Sequence, residues 1–280
     1  WKAGDAPTAD NSQSSGATPT AGSVKIDGVN LASGLQGSLP ATRLSANTKA
    51  GFSIVTFTGN NSDGATVAHG LTQKLDAIFI KKRADNSSSG NNGFWIGQHV
   101  GLTTDPESDA NSFTLSGYSN GAIFLNETNQ QSNYTFDNQV NGNTDTFVAY
   151  CFHSVKGYSK FGSYVGNGTG SGTISGPYVS CGFKPRWVMF KWVTGGSLSS
   201  EGWVVKDIVR QSLNPNDDAD IYASATGAEA AGATHGADFL ADGFKLRGGG
   251  GAVNKSGATY LYLAMAEIGG GGTLPPIYGR

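Results

Sequence analysis

Histidine and cysteine, the side chains that most often carry chemistry, are few and scattered in this sequence. The histidines are His69, His99, His153 and His235. None of them has a second histidine or a cysteine pair at a spacing that binds zinc. A general base needs positioned partners, and the sequence brings no Ser, His and Asp together as a triad. We therefore expect a packing role for His69 and predict that the protein is not an enzyme.

An acidic run near the C-terminal third is a second candidate for chemistry. Asn216, Asp218 and Asp220 place oxygen atoms at alternate positions, as the ligands of a calcium loop do. The run lacks the glycine and the distal glutamate of such a loop. A solvated loop is therefore the favoured interpretation, calcium is the alternative, and we predict neither a metal nor a cofactor.

Aromatic side chains are better candidates, but for binding. Those that we considered for stacking on sugar rings are Tyr118, Tyr134, Trp95, Trp192 and Trp203. Trp95 and Trp203 occupy equivalent places in two strand-like runs, which favours a core role for both. Tyr118 and Tyr134 lie in polar, Asn-rich loops, and loops on a rigid scaffold are where binding usually occurs. We predict Tyr118, Tyr134 and Trp192 as binding residues.

The composition indicates which elements must position these side chains. The 280 residues include 42 glycines, and charged residues make up only 14%. Short runs of Val, Ile, Phe, Tyr and Thr between Gly and Asn turns are typical of an all-β protein. The net charge of −2 comes without a basic stripe, which argues against nucleic-acid binding. No apolar stretch approaches the ~20 residues of a membrane helix, so no membrane insertion is predicted.

One strand pattern occurs twice. Gly51-Phe52-Ser53 opens an alternating run that ends at a Gly-Asn turn, and Gly157-Tyr158-Ser159 opens a second run of the same kind. Later runs match in the same order, so we predict two tandem, internally duplicated β-sandwich-like units. The predicted domains are an extended N-terminal linker or shaft at 1–50, a first unit at 51–156, a second unit at 157–268, and a C-terminal tail at 269–280.

Three strand-like runs carry large residues at consecutive positions: 77–80, 187–190 and 260–265. Such runs are typical of central strands that are covered on both faces. Cys151 and Cys181 each lie in an apolar run, which favours two buried free thiols. A single disulfide between them is the alternative.

Several phrases of the sequence resemble a known domain. The matching phrases begin at Gly51-Phe-Ser-Ile-Val-Thr-Phe-Thr-Gly-Asn, Val148-Ala-Tyr-Cys-Phe-His-Ser-Val-Lys-Gly-Tyr-Ser-Lys-Phe-Gly, Cys181-Gly-Phe-Lys-Pro-Arg-Trp-Val and Gly243-Phe-Lys-Leu-Arg. This pattern is similar to an uncharacterised β-rich domain of tail and tail fibre proteins from marine tailed bacteriophages, cyanophages among them. The resemblance covers most of residues 20–268 and brings no catalytic residues with it.

The resemblance implies a location rather than a reaction. We expect a virion structural protein of the tail or particle surface, assembled in the bacterial host cytoplasm, and specifically a tail fibre or receptor-binding appendage. Its expected partners are further copies of itself in a homotrimer, other virion proteins, and a host-surface glycan or protein. The alternatives are a capsid or tail decoration protein that stabilises the particle and a tailspike depolymerase.

Overall fold

The protein is almost entirely β in a computed structural model, which confirms the all-β class. The structure describes residues 24–30, 39, 41–61, 65–84, 95–101, 122–125, 140–168, 175–194, 203–210, 219–223, 229–231 and 235–266. The chain divides into two compact units, Trp1–His153 and Ser154–Arg280. This boundary lies three residues before the predicted end of the first unit at residue 156.

The first unit contains a seven-stranded sheet and a two-stranded sheet. Its strands are β1 (Val24–Ile26), β2 (Val29–Asn30), β3 (Ala41–Asn47), β4 (Phe52–Thr58), β5 (Ala65–Ala68), β6 (Ala77–Ala84), β7 (Trp95–His99), β8 (Ala122–Leu125) and β9 (Thr146–Phe152). The large sheet has the order β2-β1-β3-β4-β9-β6-β7, and β5 pairs with β8 in the small one. Only the β1–β3 pair is parallel among these described ladders.

The core of the first unit contains the inward side chains of the large sheet and of β5. Burial alternates strictly along β4 and β9, as expected for strands with one face on a core. Phe57 of β4 stacks on Phe147 of β9, with ring centroids 5.2 Å apart. Val67 of β5 belongs to the same buried cluster, so the small sheet covers the large one. This two-layer arrangement agrees with the predicted sandwich.

The predicted N-terminal linker at 1–50 differs from the structure. Strand β3 lies within it and pairs with β4, with Leu44 opposite Val55. Val24, Leu39, Leu44 and Ala46 are buried in the first core. The segment has few large apolar residues, but it does not need a core of its own because its strands extend a sheet that is already covered. Residues 1–23 lie outside the described part of the chain.

The second unit contains a six-stranded and a three-stranded sheet. Its elements are β10 (Ser159–Val165), β11 (Tyr178–Ser180), β12 (Pro185–Thr194), β13 (Trp203–Asp207), β14 (Ala219–Tyr222), β15 (Ala230–Ala231), β16 (Ala237–Leu240), β17 (Gly243–Leu246), α1 (Gly251–Asn254) and β18 (Thr259–Ala266). The sheets have the orders β10-β18-β12-β13-β14-β15 and β11-β17-β16.

Aromatic rings dominate the second core. Tyr164 stacks on Tyr260 at a centroid distance of 5.2 Å and meets Phe190 and Phe244 edge to face. Its hydroxyl donates to the carbonyl of Val253 at 2.7 Å, so the polar end of a buried tyrosine is satisfied. Burial raises the pKa of Tyr164 well above its ordinary value, with a further contribution from Tyr260.

Only part of the prediction for central strands is confirmed. Strand β18 is buried at consecutive positions from Tyr260 to Ala264, so both of its faces are covered. Strand β12 alternates instead, with Val188 and Phe190 buried and the residues between them half-buried. Cys151 and Cys181 are both buried and free, which confirms the favoured interpretation over a disulfide.

A buried asparagine closes a corner of the first unit where β4 ends and β9 begins. Asn60 N–H donates to the side-chain oxygen of Asn141 at 3.0 Å. Asn61 N–H donates to the Asn141 carbonyl and Gly59 N–H to the Asp145 carbonyl, both at 2.9 Å. A Cβ on Gly59 would lie 2.3 Å from the Gly142 carbonyl oxygen, so only glycine fits here. We call this the asparagine corner.

The second unit has an asparagine corner with the same bonds. Asn167 N–H donates to the side-chain oxygen of Asn254 at 2.9 Å. Gly168 N–H donates to the Asn254 carbonyl at 3.0 Å, and Gly166 N–H to the Ala258 carbonyl at 2.8 Å. A Cβ on Gly166 would again meet a carbonyl oxygen, that of Lys255, at 2.2 Å.

The strand orders of the two units also correspond. The segment β4-β9-β6-β7 of the first sheet matches β10-β18-β12-β13 of the second, with antiparallel pairing throughout. A register shift follows Lys82 in β6 and Trp192 in β12. These correspondences support the predicted internal duplication, which we retain as a proposal.

Candidate functional site

Four polar side chains come together in the second unit. Lys206 Nζ on β13 lies 2.5 Å from Asp220 Oδ1 on β14. Nδ1 of His235, which precedes β16, lies 2.5 Å from Asp220 Oδ2. The Tyr222 hydroxyl is 3.3 Å from the same His235 nitrogen. We call these four residues the Lys206 cluster.

Strand periodicity places the Lys206 cluster in the interior. Burial alternates along β13, so Lys206 shares the inward face with Val204. Val204 pairs with Tyr222 across the β13–β14 ladder, and the same antiparallel register sets Lys206 opposite Asp220. The Lys206 side chain is 0% exposed and that of Asp220 4%. Two opposite charges therefore face each other directly, out of contact with solvent.

The charges of the Lys206 cluster determine the direction in which the pKa of Asp220 is shifted. Burial would raise the pKa of its carboxyl, but hydrogen bonds and charges from His235 and Lys206 outweigh burial and hold that pKa below its usual value. The carboxylate is thus the stable form and is shared by two bases. His235 remains 14% exposed at its side chain, so the imidazole is the part of the cluster nearest to solvent.

A second ion-pair group adjoins the cluster. Arg210 Nε lies 2.5 Å from Asp207 Oδ2, and Arg210 Nη1 lies 3.5 Å from Glu229 Oε1. Desolvation of Asp207 is outweighed by hydrogen bonds from Arg210, so its pKa is lowered. The Asp207 carboxylate also accepts from Val209 N–H at 3.0 Å. This group fastens the turn that leaves β13.

Among the described residues, the Lys206 cluster has no serine, threonine or cysteine that could be the nucleophile of an acyl-transfer relay. His235 contacts Asp220 and Tyr222 there, and neither is the serine, threonine or cysteine that such a relay needs. An aspartate that binds an imidazole can fix its tautomer and stabilise its cationic form. The arrangement can therefore hold and move a proton, and it ties a loop residue to two strands.

The first unit uses its histidines to fasten loops. His69 Nδ1 accepts from Leu71 N–H at 3.1 Å, and His99 Nδ1 accepts from Gly101 N–H at 3.0 Å. Burial, with a smaller contribution from His153, lowers the pKa of His69 to about 4. His69 is consequently neutral at pH 7 and accepts a backbone hydrogen bond, in agreement with the predicted packing role.

A buried ion pair also lies in the first unit. Lys82 Nζ is 2.8 Å from Asp145 Oδ2, and the two side chains are 2% and 0% exposed. Lys82 pairs with Phe147 across the ladder, as Trp192 pairs with Tyr260 in the second unit. The place of this ion pair is thus taken by apolar residues in the second unit, where Ala258 stands at the end of the corner.

The predicted binding residues fall mostly outside the described part of the chain. This applies to Tyr118 and Tyr134. Trp192 is half-buried and packs against the core of the second unit. Its indole Nε1 is buried and has no hydrogen-bond partner among the described residues. A role for these three side chains in binding stays a prediction.

The alternative of a calcium loop is not supported at its last residue. Asp220 directs its two oxygens to Lys206 and His235, and a cation would have to compete with both. Asn216 and Asp218 lie outside the described residues. No group of three or more His, Cys, Asp or Glu side chains in the described part is placed to hold a metal.

The sequence contains one serine motif with the spacing found at a catalytic nucleophile. Gly117-Tyr118-Ser119-Asn120-Gly121 has the Gly-x-Ser-x-Gly spacing of a nucleophile turn. That turn requires a strand before the serine and a helix after it. Here the motif lies outside the described residues, and the next described element is strand β8. The structural context that would make the serine a nucleophile is therefore not met on its C-terminal side.

The Lys206 cluster itself was not predicted. Its only signal in the sequence is a lysine at an inward position of the apolar run Trp203-Val204-Val205-Lys206. A lysine in such a place requires a buried partner. The partner Asp220 and the imidazole of His235 come from later segments, and only the fold brings them together.

No described helix is long and apolar enough to span a membrane.

Comparison with known families gives one match. A family model described as a domain of unknown function (DUF7483) matches residues 2–268. Comparisons with curated proteins and with solved structures find no match.

Proposed function

The chain belongs to the DUF7483 family, and we propose that it is a non-catalytic structural protein of a bacteriophage virion. The proposed location is a tail fibre or receptor-binding appendage that contacts the host surface. The sequence phrases that resemble marine phage tail proteins support the virion assignment.

The proposal of a non-catalytic role is supported by the pairing of buried charges within each unit. Lys82 pairs with Asp145, and Lys206 with Asp220. A buried charge without a partner costs several kcal/mol, and each of these charges has one within its own unit. Charges committed in this way stabilise a scaffold and are not open to a substrate.

The location is tested on purified particles. Antibodies raised against the recombinant protein are used for immunogold electron microscopy of purified virions of a phage whose genome encodes this chain. Gold at the tail tip or fibres is the expected result. Gold over the capsid would favour a decoration protein over an appendage. Particles that bind no gold, and whose proteins yield no peptide of this chain in mass spectrometry, would overturn a virion role.

Binding is tested with the fluorescently labelled recombinant protein on host cells. Saturable binding is expected, and Tyr118→Ala and Tyr134→Ala should weaken it if the loops around 104–145 make the contact. Tyr178→Ala is the matched control, because Tyr178 is an exposed tyrosine that lies outside these loops, on strand β11. Equal loss in all three variants would contradict contact by these loops.

Catalysis is tested in parallel. The purified protein is incubated with extracted host surface polysaccharide, and the polymer length is followed by size-exclusion chromatography. Unchanged length is expected. Shortening of the polymer would favour the tailspike alternative over both structural ones. The proposed homotrimer is checked by light scattering on the same preparation.

A further inference from the structure

We propose that Lys206 and Asp220 condense to an intramolecular amide bond that joins β13 to β14 covalently, with His235 as the proton donor. The bond would be a modification of the folded chain. The inference rests on the geometry of the Lys206 cluster and is independent of the virion role proposed above.

Proximity is the first requirement, and the fold supplies it. Lys206 Nζ lies 2.5 Å from Asp220 Oδ1, and the strand register holds the two residues opposite each other. Well-oriented groups of this kind react with effective molarities on the order of 10⁵ M or more. The side chain of Asp220, which carries the reacting carbon, is only 4% exposed, so bulk water competes poorly there.

The second requirement is a neutral amine, because an ammonium group has no electron pair to donate. The cluster has one carboxylate and two bases, Lys206 and His235. One proton is enough to neutralise the carboxylate, and burial disfavours a second positive charge. In the reacting form the proton is on His235 Nδ1, 2.5 Å from Asp220 Oδ2, and Lys206 keeps its electron pair. The amine is then the nucleophile.

The third requirement is a proton for the oxygen that leaves. His235 Nδ1 is 2.5 Å from Asp220 Oδ2, on the other oxygen from Lys206. Tyr222 OH, at 3.3 Å, keeps the imidazole in this orientation. Asp207, Arg210 and Glu229 form their own pairs nearby and leave this contact intact.

The step balances without an oxidant or a further reactant. The amine nitrogen of Lys206 forms a bond to Cγ of Asp220, and the bond from Cγ to Oδ2 breaks. Oδ2 leaves as water, with one proton from the imidazolium and one from the amine. The products are an amide, one water molecule and a neutral His235. Because only the form with a neutral Lys206 amine and a protonated His235 reacts, we expect the reaction to be slow compared with folding.

The covalent consequence is a ring that encloses residues 207–219. Within the proposed appendage, such a ring would keep the two strands together when force or a protease opens the loop between them. It would also persist after unfolding, unlike the ion pair.

The first test is the mass of the intact protein. Freshly purified full-length chain is incubated folded for several days and measured by electrospray mass spectrometry. The expected result is a growing fraction lower by the mass of one water molecule. Trypsin cannot cut after an acylated lysine, so this fraction should yield peptide 192–210 joined to peptide 211–245. Without the bond, 192–206, 207–210 and 211–245 are separate.

Variants separate the amide from other losses of water. Lys206→Met must abolish the loss, and His235→Gln must slow it at least tenfold while circular dichroism shows a folded protein. Asp207→Asn is the matched control, a neighbouring carboxyl outside the reacting pair, and should lose water like the wild type. If Lys206→Met does not fold, peptide mapping of the wild type alone decides.

Two outcomes overturn the proposal. One is a folded wild-type protein that keeps its full mass and releases peptide 192–206 throughout. The other is a loss of water that maps to any other peptide pair or survives Lys206→Met.

Discussion

At the scale of single residues, the Lys82–Asp145 pair has an apolar counterpart in the same chain. Trp192 and Ala258 occupy the corresponding places in the second unit. A buried ion pair is sensitive to the loss of one partner, because the remaining charge is left in a medium of low polarity. At the same position of the fold, the first unit thus has a buried ion pair and the second unit has apolar residues.

This contrast predicts a sharp difference between single and double substitutions. Lys82→Met alone should destabilise the protein by about 3–5 kcal/mol, since the buried Asp145 carboxylate loses the Lys82 ammonium at 2.8 Å. A second substitution, Asp145→Ala, should restore most of the lost stability, because alanine is the residue that the second unit has at the corresponding position 258. Urea unfolding followed by circular dichroism measures both. Lys49→Met, at an exposed turn, is the control; a double variant as unstable as the single one would contradict the argument.

His69 predicts a pH dependence of stability. Its pKa is about 4 in the folded protein against an ordinary 6.5, so below 6.5 the unfolded chain binds a proton that the folded chain does not. Stability is therefore lost as the pH falls from about 6.5 to about 4, by roughly 3 kcal/mol in total.

Cys181-Gly182-Phe183 corresponds to His69-Gly70-Leu71, and both glycines have a positive φ. The His69→Cys variant therefore isolates this contribution with the residue that the second unit has at this position. Thermal unfolding midpoints are measured for both proteins between pH 7 and pH 4. The wild type should lose more stability than the variant over this range. Parallel curves would show that His69 is not responsible.

At the scale of elements, the two asparagine corners do the same work in their own units. Each uses one buried side chain to satisfy backbone N–H groups where two strands turn away from a sheet. A backbone donor left unsatisfied in the interior costs free energy. The matching bonds support the proposed duplication more directly than the sequence repeat does, since their acceptors, Asn141 and Asn254, lie outside the repeated runs.

Removal of either corner asparagine should have a comparable effect. Asn141→Ala and Asn254→Ala are each expected to cost about 1–3 kcal/mol, because a partly buried backbone N–H loses the buried side-chain oxygen that accepts from it. Asn47→Ala is the control: its side chain also accepts a backbone N–H, that of Ala50, but in an exposed turn where water replaces it. Thermal unfolding of the three variants gives the comparison. A cost for Asn47 equal to the others would show that burial is not the cause.

The sequence located most strands of the two large sheets but missed β3. Alternation identified β4, because one buried face imposes a period of two residues, and apolar runs identified β6, β9, β12 and β18. It missed β3 as part of the first sheet, since Ala41–Asn47 has few large side chains and is a strand only through its pairing with β4.

At the scale of the whole molecule, each unit has a buried cluster of its own. A compact unit with its own core is expected to fold without the rest of the chain. This holds for Trp1–His153 and for Ser154–Arg280 alike.

We therefore expect residues 154–280 expressed alone to unfold in one cooperative thermal transition. The measurement is circular dichroism with a dispersed amide NMR spectrum as evidence of packing. The same fragment carries the Lys206 cluster, so its mass can be followed as well. A fragment that aggregates or melts without a transition would show that the second core depends on residues before Ser154.

The sequence by itself determined the all-β class and the burial of both cysteines, because these depend on local composition and on the two-residue period of a strand. Tertiary structure alone decided which polar residues meet. Lys206, Asp220 and His235 are separated along the chain by segments that carry no signal of contact, and strand register and loop return bring them within 2.5 Å. A site assembled from distant segments is a property of the fold, and no local pattern encodes it.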